Sequence, residues 1–289
     1  MATTLSGNST ATAEAPRRRI NWGRLLVYAL LLLGAIFVLY PFFYMVMNSI
    51  KPGREILHSP TSLPSEITWT GYTGVFERLN MALLFRNSLI LASAITLFNT
   101  MLSAVAAYAI AKIPFPGRNL IFSFMLATMM IPGILFLIPT YVLLFNLGWV
   151  PSFQALIIPA AVTVYNIFLL RQFMVSIPDD LIEAGRLDGA GELAIFTRVI
   201  LPLSRPALAT VAILNFMASW NDFFGPLLYL NRPELWTVQL GLYQFRSSVP
   251  GENAQQIWAA TTLITLPLIL VFFFLQDQFM KAFANVSLK

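Results

Sequence analysis

The chain has 289 residues, 57% of them hydrophobic and 11% charged, against about 25% charged in a typical soluble domain. That balance excludes a water-soluble domain and marks a polytopic membrane protein, which the predicted helical spans make an all-α one. The 18 Lys and Arg exceed the 13 Asp and Glu, but they are scattered along the chain and not gathered on a soluble domain, so no nucleic-acid partner is expected. With no cysteine and a single histidine, His58, there is no disulfide framework, thiolate nucleophile or histidine metal cluster.

Residues 1–20, rich in Ser, Thr and Ala at their start, lack the apolar periodicity that would offset the entropy of ordering, and read as a flexible tail. Residues 21–289 read as one transmembrane domain. Arg17, Arg18, Arg19 and Arg24 precede an uncharged run from Leu25 to Met47, enough for a hydrocarbon core that takes about 20 helical residues. This run is too long for a signal-peptide core, and no small-x-small site follows it. From Asn48 to about Phe85 the chain is polar and turn-rich, with Lys51-Pro52-Gly53, Ser59-Pro60 and Leu63-Pro64 as breakers, which predicts an ordered external loop. Six spans are predicted in all, at 25–47, 87–111, 120–145, 153–174, 207–230 and 257–276. Pro132-Gly133 and Pro139 interrupt the third, so it should face protein or a water-filled path.

Six spans place both termini on one side. That side carries twelve basic residues: Arg17, Arg18, Arg19, Arg24, Lys112, Arg118, Arg171, Arg186, Arg198, Arg205, Lys281 and Lys289. The other carries Lys51, Arg54, Arg78, Arg86, Arg232 and Arg246. The positive-inside rule therefore puts the termini and the charged loop 176–205 in the cytoplasm.

Loop 176–205 is a polar island between apolar runs. Pro178 suits the first residue of a short helix, and Asp179 and Asp180 beside it complement the positive end of its dipole. Asp188-Gly189 offers a stop, because glycine readily takes the left-handed conformation that closes a helix. Leu193, Phe196 and Ile200 then recur at helical spacing as far as Pro202. The island predicts two short helices hinged at Gly189, with Glu183 and Arg186 three apart on the first. Periodicity alone leaves open whether this hairpin docks a partner or is merely a solvated loop.

The same island resembles the EAA loop of ABC-importer membrane subunits. The matching residues are Glu183-Ala184, Asp188-Gly189-Ala190, Phe196 and Leu201-Pro202, at the family's spacing. The departures are Gly185 for the second alanine and Val199 for isoleucine. The link Lys112-Ile113-Pro114-Phe115-Pro116-Gly117-Arg118 and the segment Trp220-Asn221-Asp222-Phe223 extend the likeness to carbohydrate importers of the maltose/multiple-sugar type, on the side of their shorter permease. The segment Phe279-Met280-Lys281-Ala282-Phe283 lacks the glycine-rich ending of that subunit. The resemblance implies a type I ABC-importer permease in a bacterial or archaeal cytoplasmic membrane, with Glu183, Ala184, Gly185, Leu187, Asp188, Gly189, Ala190 and Phe196 coupling it to an ATPase. The implied partners are a second homologous permease, two ABC ATPases, an extracytoplasmic sugar-binding protein, the sugar and membrane lipid. No cofactor is expected in this chain. It holds no G-x-x-x-x-G-K-[ST] loop, so ATP and Mg are expected on the ATPase subunit and no enzymatic activity is expected here.

Trp220, Asn221 and Asp222 are candidates for the substrate path, since a ring beside an amide and a carboxylate suits a sugar and a carboxylate within a span is a functional candidate. The same trio could instead seal the contact with the partner permease. Tyr165-Asn166 in the fourth span is a weaker candidate, because Tyr and Asn also bond helices together. Two rivals are an ion-gradient-driven secondary transporter and an intramembrane enzyme. The first would carry more titratable groups at membrane depth, and the second a cluster of His, Asp or Glu near the membrane face.

Overall fold

The computed structural model describes residues 22–245, 251 and 253–284, in two units, Met1–Tyr44 and Met45–Lys289. The expected tail 1–20 and Lys289 lie outside the described residues, as do the side chains of the Phe279–Phe283 segment. Helix α1 (Trp22–Ser49) carries no charge beyond Arg24. From Trp22 to Phe43 its side chains are exposed, almost all of them apolar, a surface suited to lipid and not to water.

In the second unit the expected external loop is ordered into α2 (Gly53–His58) and α3 (Thr70–Arg78). Helix α4 (Met81–Lys112) is unbroken and starts ahead of the expected Asn87, because the Asn80 side chain accepts the Leu83 N–H at 3.1 Å and caps it. The third apolar stretch is in two pieces, α5 (Arg118–Thr128) and, after a 3₁₀ turn at Gly133–Phe136, α6 (Leu137–Asn146), which meet at 87°. Pro132 lacks an N–H and disfavours helix in the residue before it, so the helix cannot run through.

The fourth stretch also departs from the continuous span expected over 153–174. It comprises α7 (Gln154–Ile157), a 3₁₀ turn at Pro159–Ala161 and α8 (Val164–Val175). Pro159 withholds a donor there, and the Ala160 carbonyl at the break accepts from Asn99 Nδ2 at 2.7 Å. Next come α9 (Asp180–Leu187), α10 (Glu192–Ile195), a π turn at Phe196–Ile200, α11 (Leu201–Leu203) and α12 (Arg205–Trp220). Helix α9 starts at Asp180 and not at the expected Pro178, because the carbonyl that accepts its first N–H groups, from Ile182 and Glu183, is that of Asp179. The second island helix therefore does not stop at Pro202. The π turn, in which the Leu201 N–H donates to the Phe196 carbonyl, carries the chain past the missing Pro202 N–H, and the 77° turn into α12 follows Leu203. The expected 207–230 span breaks after Trp220, resuming as α13 (Phe224–Tyr229), before α14 (Val238–Tyr243) and α15 (Ala254–Ala284).

The described residues contain no strand. By length and composition Trp22–Ser49, Met81–Lys112 and Ala254–Phe274 can each cross a membrane, and three bent pairs of helices raise the number to as many as six if each pair is one span. Helix α4 is the spine of the second unit. Its Ala104 and Ala107, fully buried, let Leu170 and Met174 of α8 and Val211 of α12 close onto it.

At the start of α15, Gln255 Nε2 donates to Thr68 Oγ1 at 2.6 Å, while Gln255 Oε1 accepts the Thr70 hydroxyl at 2.9 Å. Gly71 lies so close that a Cβ there would stand 2.9 Å from the Gln255 carbonyl oxygen. Gly71→Ala is therefore expected to destabilise the protein by about 1–3 kcal/mol, the usual range for overpacking. Thermal unfolding in detergent checks this, and an unshifted midpoint would mean that the backbones separate freely.

Candidate functional site

The polar island forms a hairpin with two unlike faces. Inward, Ile182 of α9 and Ile195, Phe196 and Ile200 beyond the turn are buried against Tyr108 and Ile110 of α4 and Met174 of α8. Outward, Glu183, Ala184, Asp188 and Gly189 are exposed, and Leu187 and Leu193 stand 89% and 76% exposed. Of the expected coupling residues, Gly185 and Ala190 are half-buried between these faces, and Phe196 belongs to the anchor. The eight residues are thus brought into one hairpin, but they divide into a presented surface and its support.

The turn is built as its sequence suggests. Gly189 takes a left-handed φ of +80°, and two bonds close the helix end, from the Ala190 N–H to the Gly185 carbonyl at 2.9 Å and from the Gly189 N–H to the Arg186 carbonyl at 3.0 Å. This pair is the Schellman closure that glycine favours. Gly185 itself has an ordinary helical backbone. A Cβ there would touch Ile195 at 3.4 Å, normal van der Waals contact. Gly185→Ala, which restores the family's alanine, should stabilise the hairpin by about 0.4–1 kcal/mol by restricting the unfolded chain. We expect uptake at or above the parent level and a raised unfolding midpoint; a loss of uptake would show that the partner needs the bare glycine surface.

Arg186 does not pair with Glu183. Its Nε–H and Nη2–H donate to Glu192 Oε1 at 3.0 and 2.8 Å, across the Gly189 turn, and Glu192 Oε2 accepts the Tyr108 hydroxyl at 2.6 Å. The Tyr108 hydroxyl, then Arg186, hold the Glu192 carboxyl below its usual range. Lys112 Nζ donates to Asp179 Oδ1 at 2.5 Å and to the Ile177 carbonyl at 2.6 Å, and that bond and charge lower the Asp179 carboxyl likewise. Glu183 and Asp188 have no ion-pair partner among the described residues and remain available to another protein. Sequence reasoning missed Glu192. Its one signal is an acid in the first turn after Gly189, while the reach to Tyr108 depends on packing alone.

The expected pathway trio does not converge. Trp220 is 1% exposed, between Phe85 and Phe216, with its Nε1–H donating to the Ile264 carbonyl at 3.1 Å, so it presents no ring to a sugar in this conformation. Asp222 lies at the break between α12 and α13, where Oδ1 accepts the Gly225 N–H at 3.1 Å. Asn221 alone of the three is exposed, its Nδ2 donating to the Met217 carbonyl at 2.9 Å. Tyr165 is half exposed, whereas its neighbour Asn166 is buried. Asn166 Nδ2 donates to Asn99 Oδ1 at 2.7 Å and to Asn215 Oδ1 at 2.8 Å, and Asn215 Nδ2 donates to Asn99 Oδ1 at 3.2 Å. Three amides thus tie α4, α8 and α12 together at the Pro159 break. Two other breaks meet in a recess of about 300 Å³ lined by Gly133, Ile134, Thr140, Phe224 and Tyr229.

A helical membrane chain with an anchored, outward-facing charged hairpin of this pattern is a permease subunit of the ABC-importer class. The chain belongs to the binding-protein-dependent transport system inner membrane component family, which matches residues 99–285. It is 34% identical to the diacetylchitobiose uptake system permease protein NgcG of Streptomyces coelicolor, over 85% of this chain and 82% of that one. Identity is 32% to the arabinooligosaccharides transport system permease protein AraQ of Bacillus subtilis, over 86% and 89% of the two chains. It is 30% to the sn-glycerol-3-phosphate transport system permease protein UgpE of Pectobacterium atrosepticum, over 89% and 95%. The fold is shared, at a TM-score of 0.78 and 24% identity, with a bacterial ABC transporter involved in the import of the acidic polysaccharide alginate, over 93% of this chain and 100% of that chain.

Proposed function

We propose that this chain is one of two homologous permeases in an ATP-driven sugar importer, lining half of the translocation path and seating its Glu183-to-Ala190 hairpin in a cleft of an ATPase subunit. Six spans, three of them bent, bring both termini and the hairpin to the cytoplasmic side. An extracytoplasmic binding protein delivers the sugar. Two ATPases hold ATP and Mg, and this chain performs no catalysis. Relatives named for diacetylchitobiose, arabinooligosaccharides and sn-glycerol-3-phosphate support a polyhydroxylated cargo.

The observation that carries this reading is the two-faced hairpin, whose apolar anchor is packed on α4 and α8 while Ala184, Leu187, Asp188 and Leu193 are left facing outward. Exposed leucines beside unpaired carboxylates fit a protein surface with an apolar pocket and basic rim. Alternating access requires the hairpin to be held more firmly in one ATPase geometry than in another. An ion-gradient-driven secondary transporter is less well supported, because Asp222, the carboxylate expected at membrane depth, is engaged by the Gly225 N–H. Reconstitution in liposomes tests the reading. Uptake of a sugar should need ATP, the second permease and the binding protein together; gradient-driven uptake by this chain alone would overturn it.

A further inference from the structure

The hairpin's polar fastenings lead to a helix that is not its neighbour in sequence. Along the chain it joins α8 on one side and α12 on the other, yet its acids bond to α4. Tyr108 and Lys112 stand one turn apart near the end of α4 and so share a face. Tyr108 meets Glu192 at 2.6 Å, Lys112 meets Asp179 at 2.5 Å, and the Tyr108 ring lies 5.2 Å from that of Phe196. The Lys112 side chain is only 4% exposed, whereas that of Asp179 is 74% exposed, so the fixed partner is on α4 and the hairpin is what it holds. Arg186 closes the assembly by bridging to Glu192 across the Gly189 turn. That bridge stops the two short helices from flexing independently.

We propose that Glu192 is a positioning residue which, together with Asp179, latches the coupling hairpin to the cytoplasmic end of α4, so that ATPase motion enters this span through Tyr108 and Lys112 as well as along the chain into α8 and α12. The inference rests on the reading of the hairpin as the ATPase dock. Its consequence follows from the packing of α4, which is tied to α8 and α12 by Ala104, Ala107 and the Asn99 amide. A pull on its end displaces three helices together. Without the latch the dock still binds, but its movement is taken up by the link Ser176–Asp179 and the Gly189 turn.

The test uses the whole transporter in proteoliposomes, with co-purified ATPase, ATP hydrolysis, sugar uptake and thermal midpoint measured on one preparation. Tyr108→Phe removes one hydroxyl, and Glu192→Gln removes one charge. Each should keep the ATPase subunit and its hydrolysis while lowering uptake per ATP by at least about threefold, the low end of ordinary coupling energies. The double variant should be no worse than the worse single one, since both break the same link. Lys112→Asp and Asp179→Lys should each lower the ratio, and combining them should restore it in part, since no group at position 112 then donates to the Ile177 carbonyl. An unchanged ratio in the singles overturns the latch, and so does a lowered ratio that tracks a lowered thermal midpoint and is not even partly restored by the charge exchange. Asp188→Lys, run alongside, separates the two levels: if it retains full uptake the dock reading falls and the latch with it, whereas an inactive Asp188→Lys beside unaffected latch variants sinks the latch alone.

Discussion

Asp188→Lys is expected to abolish ATPase co-purification and coupled uptake while leaving membrane insertion and folding intact. The reason lies in where Asp188 sits. It follows the last residue of α9, exposed, at the negative end of the helix dipole. A carboxylate there is unfavourable, and a lysine would favour the helix by about 0.3–1 kcal/mol. Folding therefore does not account for the residue, and a loss in the variant would belong to a contact outside the chain. Reversing a charge at a packed interface typically costs on the hot-spot scale of about 2–4 kcal/mol, a loss of affinity of roughly 30-fold to 1000-fold. Pull-down of the tagged permease, with yield and thermal midpoint as controls, reads the effect. Full retention of ATPase and transport would sink the docking assignment.

The second large effect is expected at Asn99. Asn99→Leu, nearly isosteric, removes the acceptor shared by Asn166 and Asn215 and the donor to the Ala160 carbonyl at the Pro159 break. Each polar group left bare in an apolar interior costs about 1–3 kcal/mol, and at membrane depth water is not at hand to replace the partner. The variant should fall in yield and in thermal midpoint, and transport should fall with them because α4, α8 and α12 no longer hold together. Asn166→Leu should add little in the Asn99→Leu background, since the two share one network. Independent, additive losses would show that the three amides do not act as a unit.

The ordered external loop, the hinge at Gly189 and the apolar stretches were legible because each rests on local rules. Gly189 closes α9 in a left-handed turn as glycine does anywhere, whereas the Asn80 cap that starts α4 ahead of Asn87 was not read from the sequence. Breaks were legible where Pro stands with Gly, as at Pro132, but not at Pro159, whose interruption is stabilised by an amide from another helix. The divergence of the Trp220-to-Asp222 trio escaped the sequence for a related reason. Adjacent residues in a helix point in different directions, so a ring, an amide and a carboxylate in a row do not form one site. The indole went to the interior, the carboxylate to a backbone N–H and the amide to the surface.

Composition, period and the spacing from Glu183 to Pro202 were sufficient for the membrane class and the family, since both depend on residues near one another along the chain. The packing of distant segments alone decided that Arg186 pairs with Glu192 and not Glu183, that Glu192 reaches Tyr108, and that Lys112 holds Asp179. A side chain in a membrane bundle chooses its partner by which helix is pressed against it, and the strength of each bond depends on the low-dielectric surroundings that only the assembled helices create.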